Sequence, residues 1–154
     1  MRRELVIAAA LLAACSGGDD ASRQDQVADR GAEVMPFDLE ATTHRFEPTD
    51  TGLLETVVAD DPTDAEQVGL IRQHLAEEAD RFVQGDYGDP ATIHGQDMPG
   101  LSELEAGADD ITVTLADLPD GATLTFTTED PALVDALHRW GEAQVSDHGQ
   151  HAEG

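Results

Sequence analysis

The sequence predicts an α+β domain of the form ββαββα: a four-stranded antiparallel sheet with two helices on one face. Two observations carry this. Pairs of alternating apolar and polar runs flank turn signals twice, and after each pair apolar residues recur at helical spacing behind a capping sequence. Two hairpins and two one-sided helices bury their apolar surfaces most simply as two layers.

The elements follow in order. Residues 42–47 and 53–59 are β-rich runs on either side of Pro48-Thr49-Asp50-Thr51-Gly52, which predicts a hairpin. Pro62 and a capping-box spacing from Thr63 to Glu66 then open a helix. Val68, Ile71, Leu75, Ala79 and Phe82 form its apolar stripe, and Gly85 ends it. Residues 86–107 are punctuated by Gly and Pro and predict a loop with a short helical turn at 99–105. A second hairpin is expected from 111–115 and 122–127, turning at Leu118-Pro119-Asp120-Gly121. Asp130-Pro131 opens the second helix, which carries Leu133, Leu137, Trp140 and Gln144 and runs to about Asp147.

The two halves read as a weak internal repeat. Gly52, Asp61 and Pro62 stand 69 residues before Gly121, Asp130 and Pro131, whereas His74, Glu78 and Ala79 stand 64 before His138, Glu142 and Ala143. A five-residue insertion at the start of the first helix reconciles the two offsets.

The N-terminus reads as an export signal. Met1-Arg2-Arg3 and the apolar run 5–14 match a signal peptide, and the run is too short to span a membrane. Leu12-Ala13-Ala14-Cys15 resembles the bacterial lipobox, which implies cleavage after residue 14 and a lipid on Cys15. The expected organisation is therefore a signal peptide over 1–14, a lipidated Cys and disordered acidic linker over 15–34, one α+β domain over 35–148 and a frayed tail over 149–154. Localisation on the outer side of the cell membrane, through the lipid anchor alone, follows from that reading.

Composition narrows the function. The formal charge of −25, with no Lys among the eight cationic residues, repels nucleic acid and attracts cations. Cys15 is the only cysteine, so neither a disulfide nor a thiolate cluster holds the domain, and any metal must use His, carboxylate or Met. There is no Gly-x-Ser-x-Gly elbow, phosphate loop or dinucleotide fingerprint, and the chain is not expected to be an enzyme.

His74 and Glu78, and likewise His138 and Glu142, lie one helical turn apart on a common face. If the halves are related by a pseudo-twofold axis, the two pairs converge on a site suited to Zn(II) or Cu(II). The bland alternative is two surface pairs that stabilise their helices. His94 and Met98 in the long loop offer a copper-type donor pair, against the alternative that Met98 fills the core. His148 and His151 close the chain as further donors or as solvated tail residues, and His44 faces either core or solvent. Ligands of one cation must bring the imidazoles of His74, His94 and His138 within about 4–5 Å of one another.

The stretches Asp89-Pro-Ala-Thr-Ile-His-Gly-Gln-Asp-Met-Pro-Gly100 and Asp130-Pro-Ala-Leu-Val-Asp-Ala-Leu-His-Arg-Trp-Gly-Glu-Ala-Gln-Val-Ser-Asp-His148, with Thr43-His-Arg-Phe upstream, resemble a family of small exported bacterial proteins without an established activity. Members sometimes carry the label aspartate carbamoyltransferase. That enzyme needs two α/β domains and a carbamoyl-phosphate loop, which this chain lacks, and a cationic pocket for two anionic substrates, which a surface with a charge of −25 and no Lys opposes.

The function expected from the sequence is a lipid-anchored binding domain holding a divalent metal or copper through some of His74, Glu78, His94, Met98, His138, Glu142 and His148, with no cofactor otherwise. The competing expectation is an envelope domain that binds a protein partner or its own copy through the bare sheet face. A small metal-dependent hydrolase comes third.

Overall fold

The computed structural model describes residues 17–149 and 152–154. The expected signal peptide, Cys15 and His151 lie outside the described residues. The element order is α1 (Gly17–Val34), β1 (Thr42–Thr49), β2 (Gly52–Ala59), α2 (Ala65–Phe82), α3 (Gly88–His94), α4 (Leu101–Ala106), β3 (Thr112–Leu118), β4 (Gly121–Thr127), α5 (Pro131–His148) and β5 (Ala152–Glu153). The α+β class holds, with five helices and a five-stranded mixed sheet in place of two helices and four strands.

The strand order is β3-β4-β2-β1-β5. The first four strands are antiparallel to their neighbours, and β5 adds in parallel to β1. Each hairpin closes through two residues, Asp50-Thr51 and Pro119-Asp120, shorter than the turns read from the sequence. Alternation sends His44, Phe46, Glu55, Val57, Leu124 and Phe126 to the helix-covered face. Thr43, Arg45, Thr123, Thr125 and Thr127, on the other face, are partly exposed.

The internal repeat is real in the backbone. Gly52 pairs with Thr127 and Val58 with Gly121, which is one pairing seen from both halves when residues are shifted by 69. Gly52 and Gly121 are required for the same reason at equivalent places. A Cβ on Gly52 would come 2.0 Å from the Phe126 carbonyl oxygen, and one on Gly121 would come 1.9 Å from that of Val57.

The helices repeat at 66, not 64. Helices α2 and α5 each have 18 residues, and their N-caps are Asp64 and Asp130, whose carboxylates accept from backbone N–H groups of the first turn. Asp64 therefore takes the capping role expected of Thr63, and the insertion is three residues. Under this alignment His74 corresponds to Trp140, Glu78 to Gln144 and Phe82 to His148, all six of them buried. His138 corresponds to Arg72, and the two perform one job. The His138 Nε2–H donates to the carbonyls of Thr49 and Gly52, each at 3.0 Å. Arg72 donates to the carbonyls of Leu118 and Gly121, the same positions of the second hairpin.

Three boundary expectations fail. The segment read as a disordered linker is the helix α1. It has little to bury, but Arg23, Val27 and Gly31 share one face: Val27 and Gly31 are buried, and Arg23 forms an ion pair with Asp147 of α5. The tail is not frayed throughout either, because Ala152 and Glu153 cover the edge of β1, and Glu153 meets Arg45 at 2.9 Å. The long loop holds α3 as well as the expected turn, which is α4.

Trp140 sits at the centre of the core, edge-on to Phe82 (6.0 Å), Tyr87 (6.0 Å), Phe46 (6.3 Å) and Phe126 (5.6 Å). Among the described residues, no helix is long and apolar enough to cross a membrane.

The pseudo-twofold predicts that Gly52→Ala and Gly121→Ala each destabilise the fold by a similar amount, about 2–3 kcal/mol, through the strand-to-strand clash. Urea unfolding of the two variants checks it, and a cost confined to one of them contradicts the equivalence.

Candidate functional site

A cavity of about 40 Å³ lies between the sheet and the helices, and its walls are more polar than a core requires. His74 and Glu78 of α2 enter from one side, and Trp140, Gln144 and His148 of α5 from the other. The sheet contributes His44 and Glu55, and α3 contributes Asp89 and His94.

Three imidazoles gather at one end. His44 and His148 stack with ring centroids 5.4 Å apart, and His94 meets His148 edge-on at 4.9 Å. All three are buried, His94 to 2 % residual exposure. They come from a strand, a short helix and the last turn of α5, so the local fold of three separated segments is needed to assemble them.

A second layer of side chains fixes His94. Its Nδ1 lies 2.9 Å from Asp147 Oδ2. Arg23 of α1 grips the same carboxylate with Nε and Nη2 at 2.5 and 2.6 Å, and also donates to the His94 carbonyl at 3.1 Å. Burial pushes the Asp147 carboxyl up, but the hydrogen bonds from Arg23 and His94 outweigh it and hold it below the usual range. An ionised carboxylate only accepts, so Nδ1 of His94 carries the hydrogen. Burial depresses the His94 imidazole below its ordinary value, against the pull of Asp147, so at neutral pH its Nε2 keeps a lone pair.

The other end is acidic. Glu78 and Asp89 both bind Arg81, at 3.2 and 2.6 Å. Burial, and then the charge of Asp89, push Glu78 up to about 8. Glu55 stands where the equivalent position in the second half is Leu124, its own cross-strand partner. It lines the cavity, and burial pushes it up to about 7. His74 packs edge-on to Phe37 at 5.6 Å, and burial lowers its pKa.

The expected ligands thus divide. His94 and His148 come together, and His74 and Glu78 line the same cavity. His138 does not join them, because its Nε2–H is committed to the first hairpin. Glu142 is exposed, on the face of α5 near Arg23 and Arg139. His74 and His94 line one cavity and His138 does not, so the structure does not bring this trio together. Met98 is a core residue and does not line the cavity, which removes the thioether from the copper pair. The sequence reading leaves His44 between core and solvent and does not single out Glu55 or Asp147. The alternation that places Phe46 inward also places His44 inward, and Glu55, the cross-strand partner of Phe46, goes with them, so the strand pattern held the signal for both.

Among the described residues, no three His, Cys, Asp or Glu side chains already surround one point at ligand distances. The three rings are adjacent and must turn to share an ion.

Glu55 gives a pH prediction. Because its folded value is raised from 4.5 to about 7, the folded chain retains a proton that the unfolded chain releases. Its contribution is present below pH 4.5 and is lost as the pH rises through about 7. Glu55→Gln is therefore neutral at pH 4.5 and stabilising by about 2–3 kcal/mol at pH 8, as read by chemical unfolding at the two pH values. Equal effects at both contradict the assignment.

No protein-family model matches the chain, and no curated protein or solved structure is significantly similar to it.

Proposed function

We propose that this chain is a metal-binding domain that holds a divalent cation of the Zn(II) or Cu(II) type through His44, His94 and His148, and that it is displayed outside the cell on a lipid attached to Cys15. The observation that carries the metal reading is the packing of three buried imidazoles at 4.9 and 5.4 Å. Two imidazoles on one tetrahedral ion, with bonds of about 2 Å, hold their ring centroids about 5 Å apart. His148 is thus at about this spacing from both His44 and His94.

Asp147 supports the reading. A carboxylate on the far nitrogen fixes the tautomer of a ligating imidazole and raises its basicity, and here Arg23 fixes the carboxylate in turn. Borderline divalent ions favour neutral imidazole, the form in which burial keeps His94. The export and anchoring part of the proposal rests on the sequence of residues 1–15 alone.

Calorimetric titration with Zn(II) and Cu(II) tests it. One saturable site per chain is expected, lost by at least 100-fold in the His94→Ala/His148→Ala variant and weakened about 10–100-fold by Asp147→Asn. His138→Ala binds as the parent does. Undiminished binding by the double variant, or only weak uptake of the kind an acidic surface gives, assigns the histidines to packing and overturns the proposal.

A further inference from the structure

Beyond the imidazole cluster, two residues that line the same cavity each carry a buried polar atom without a protein partner. The Trp140 Nε1–H and the Gln144 Oε1 make no hydrogen bond, although the two residues are only 1 % and 5 % exposed and both line the cavity. A buried polar group left unpaired costs about 1–3 kcal/mol, so two in one chamber call for something that satisfies them.

Their arrangement is specific. Trp140 and Gln144 are one helical turn apart on α5, and their equivalents in the repeat, His74 and Glu78, are one turn apart on α2 and line the same space. The chamber is therefore furnished twice from equivalent positions, with Glu55 on the strand floor. On the α5 side it offers a donor and an acceptor. On the α2 side stands a carboxyl group that burial keeps protonated at neutral pH, and so able to donate. The volume of about 40 Å³ accommodates about three water-sized centres, or a molecule of three or four heavy atoms.

We propose that this chamber is a binding subsite for a small neutral amide, whose carbonyl accepts from the Trp140 Nε1–H while its N–H donates to Gln144 Oε1. A carboxylate of the same size would leave water for a buried chamber beside the Asp89 carboxylate and offer no N–H to the Gln144 oxygen, and a hydrocarbon would leave both orphan atoms unpaired. The amide satisfies both and carries no charge. The subsite does not depend on a bound cation, so it stands or falls apart from the metal reading.

Trp140 is the only tryptophan of the chain, so its fluorescence reports from the subsite. The metal-free full-length chain is titrated with acetamide and, separately, with dimethyl sulfoxide, which has the same four heavy atoms and an acceptor oxygen but no N–H. The expected result is a saturable change in emission with acetamide, and binding at least 10-fold weaker for dimethyl sulfoxide. Gln144→Leu weakens acetamide by at least 10-fold, whereas Gln144→Glu, which keeps an acceptor oxygen, stays within about 3-fold. Circular dichroism verifies that each variant is folded, and the comparison of the two probes on the parent chain stands if Gln144→Leu is not. A change that is linear in acetamide, or equal for both probes, means that the orphan atoms bind water alone and overturns the proposal.

Discussion

The antiparallel pairing of β2 with β4 sets the positions of the other elements. It joins two ββα halves at equivalent strands, so each helix crosses over its partner's hairpin: α2 packs on β4 and β3, and α5 on β2 and β1. The close approach that demands Gly52 and Gly121 belongs to this seam. So do the two hairpin carbonyl pairs, one bound by His138 and the other by Arg72. The helices then present equivalent faces to one cavity over the sheet, which is why His74 and Glu78 share that space with Trp140 and Gln144.

A space between helices and a sheet is ordinarily filled with apolar side chains. Here it holds carboxyl, amide, indole N–H and imidazole groups, and it does so in a domain with only six aromatic residues to make a core. Glu55 is the clearest departure, an acid opposite a leucine on the central strands. Local rules of core packing are broken most readily where function requires it. The symmetry is broken as well, since His148 stands where the first half has Phe82, and α1, α3 and β5 gather round the β1 edge only. The elements that have no counterpart in the repeat are those that bring Arg23 and His94 to Asp147.

Much of the fold was legible in the sequence. Strict alternation over 111–115 and 122–127 and the turn residues between placed the second hairpin, although β3 runs on to Leu118, and apolar spacing behind the capping signals at 63–66 and at Asp130-Pro131 placed α2 and α5. The rest was not legible because it depends on contacts distant in the chain. Helix α1 has a single buried valine, and an ion pair 124 residues away does the remaining work. Strand β5 is two residues long and exists because β1 presents an open edge. The candidate site was half legible. His94 and His148 were named, but matching His74 to His138 by residue type set the helices two positions out of register. The capping aspartates, 66 residues apart, carried the correct alignment.

The central claim is that the cation is held by buried imidazoles and not by the acidic surface. X-ray absorption at the zinc edge of the chain loaded with one equivalent of Zn(II) tests this directly. The account predicts a first shell dominated by nitrogen at about 2.0–2.1 Å, with the outer scattering of about three imidazole rings. A shell of oxygen alone, with no imidazole signature, would place the ion among surface carboxylates and contradict it.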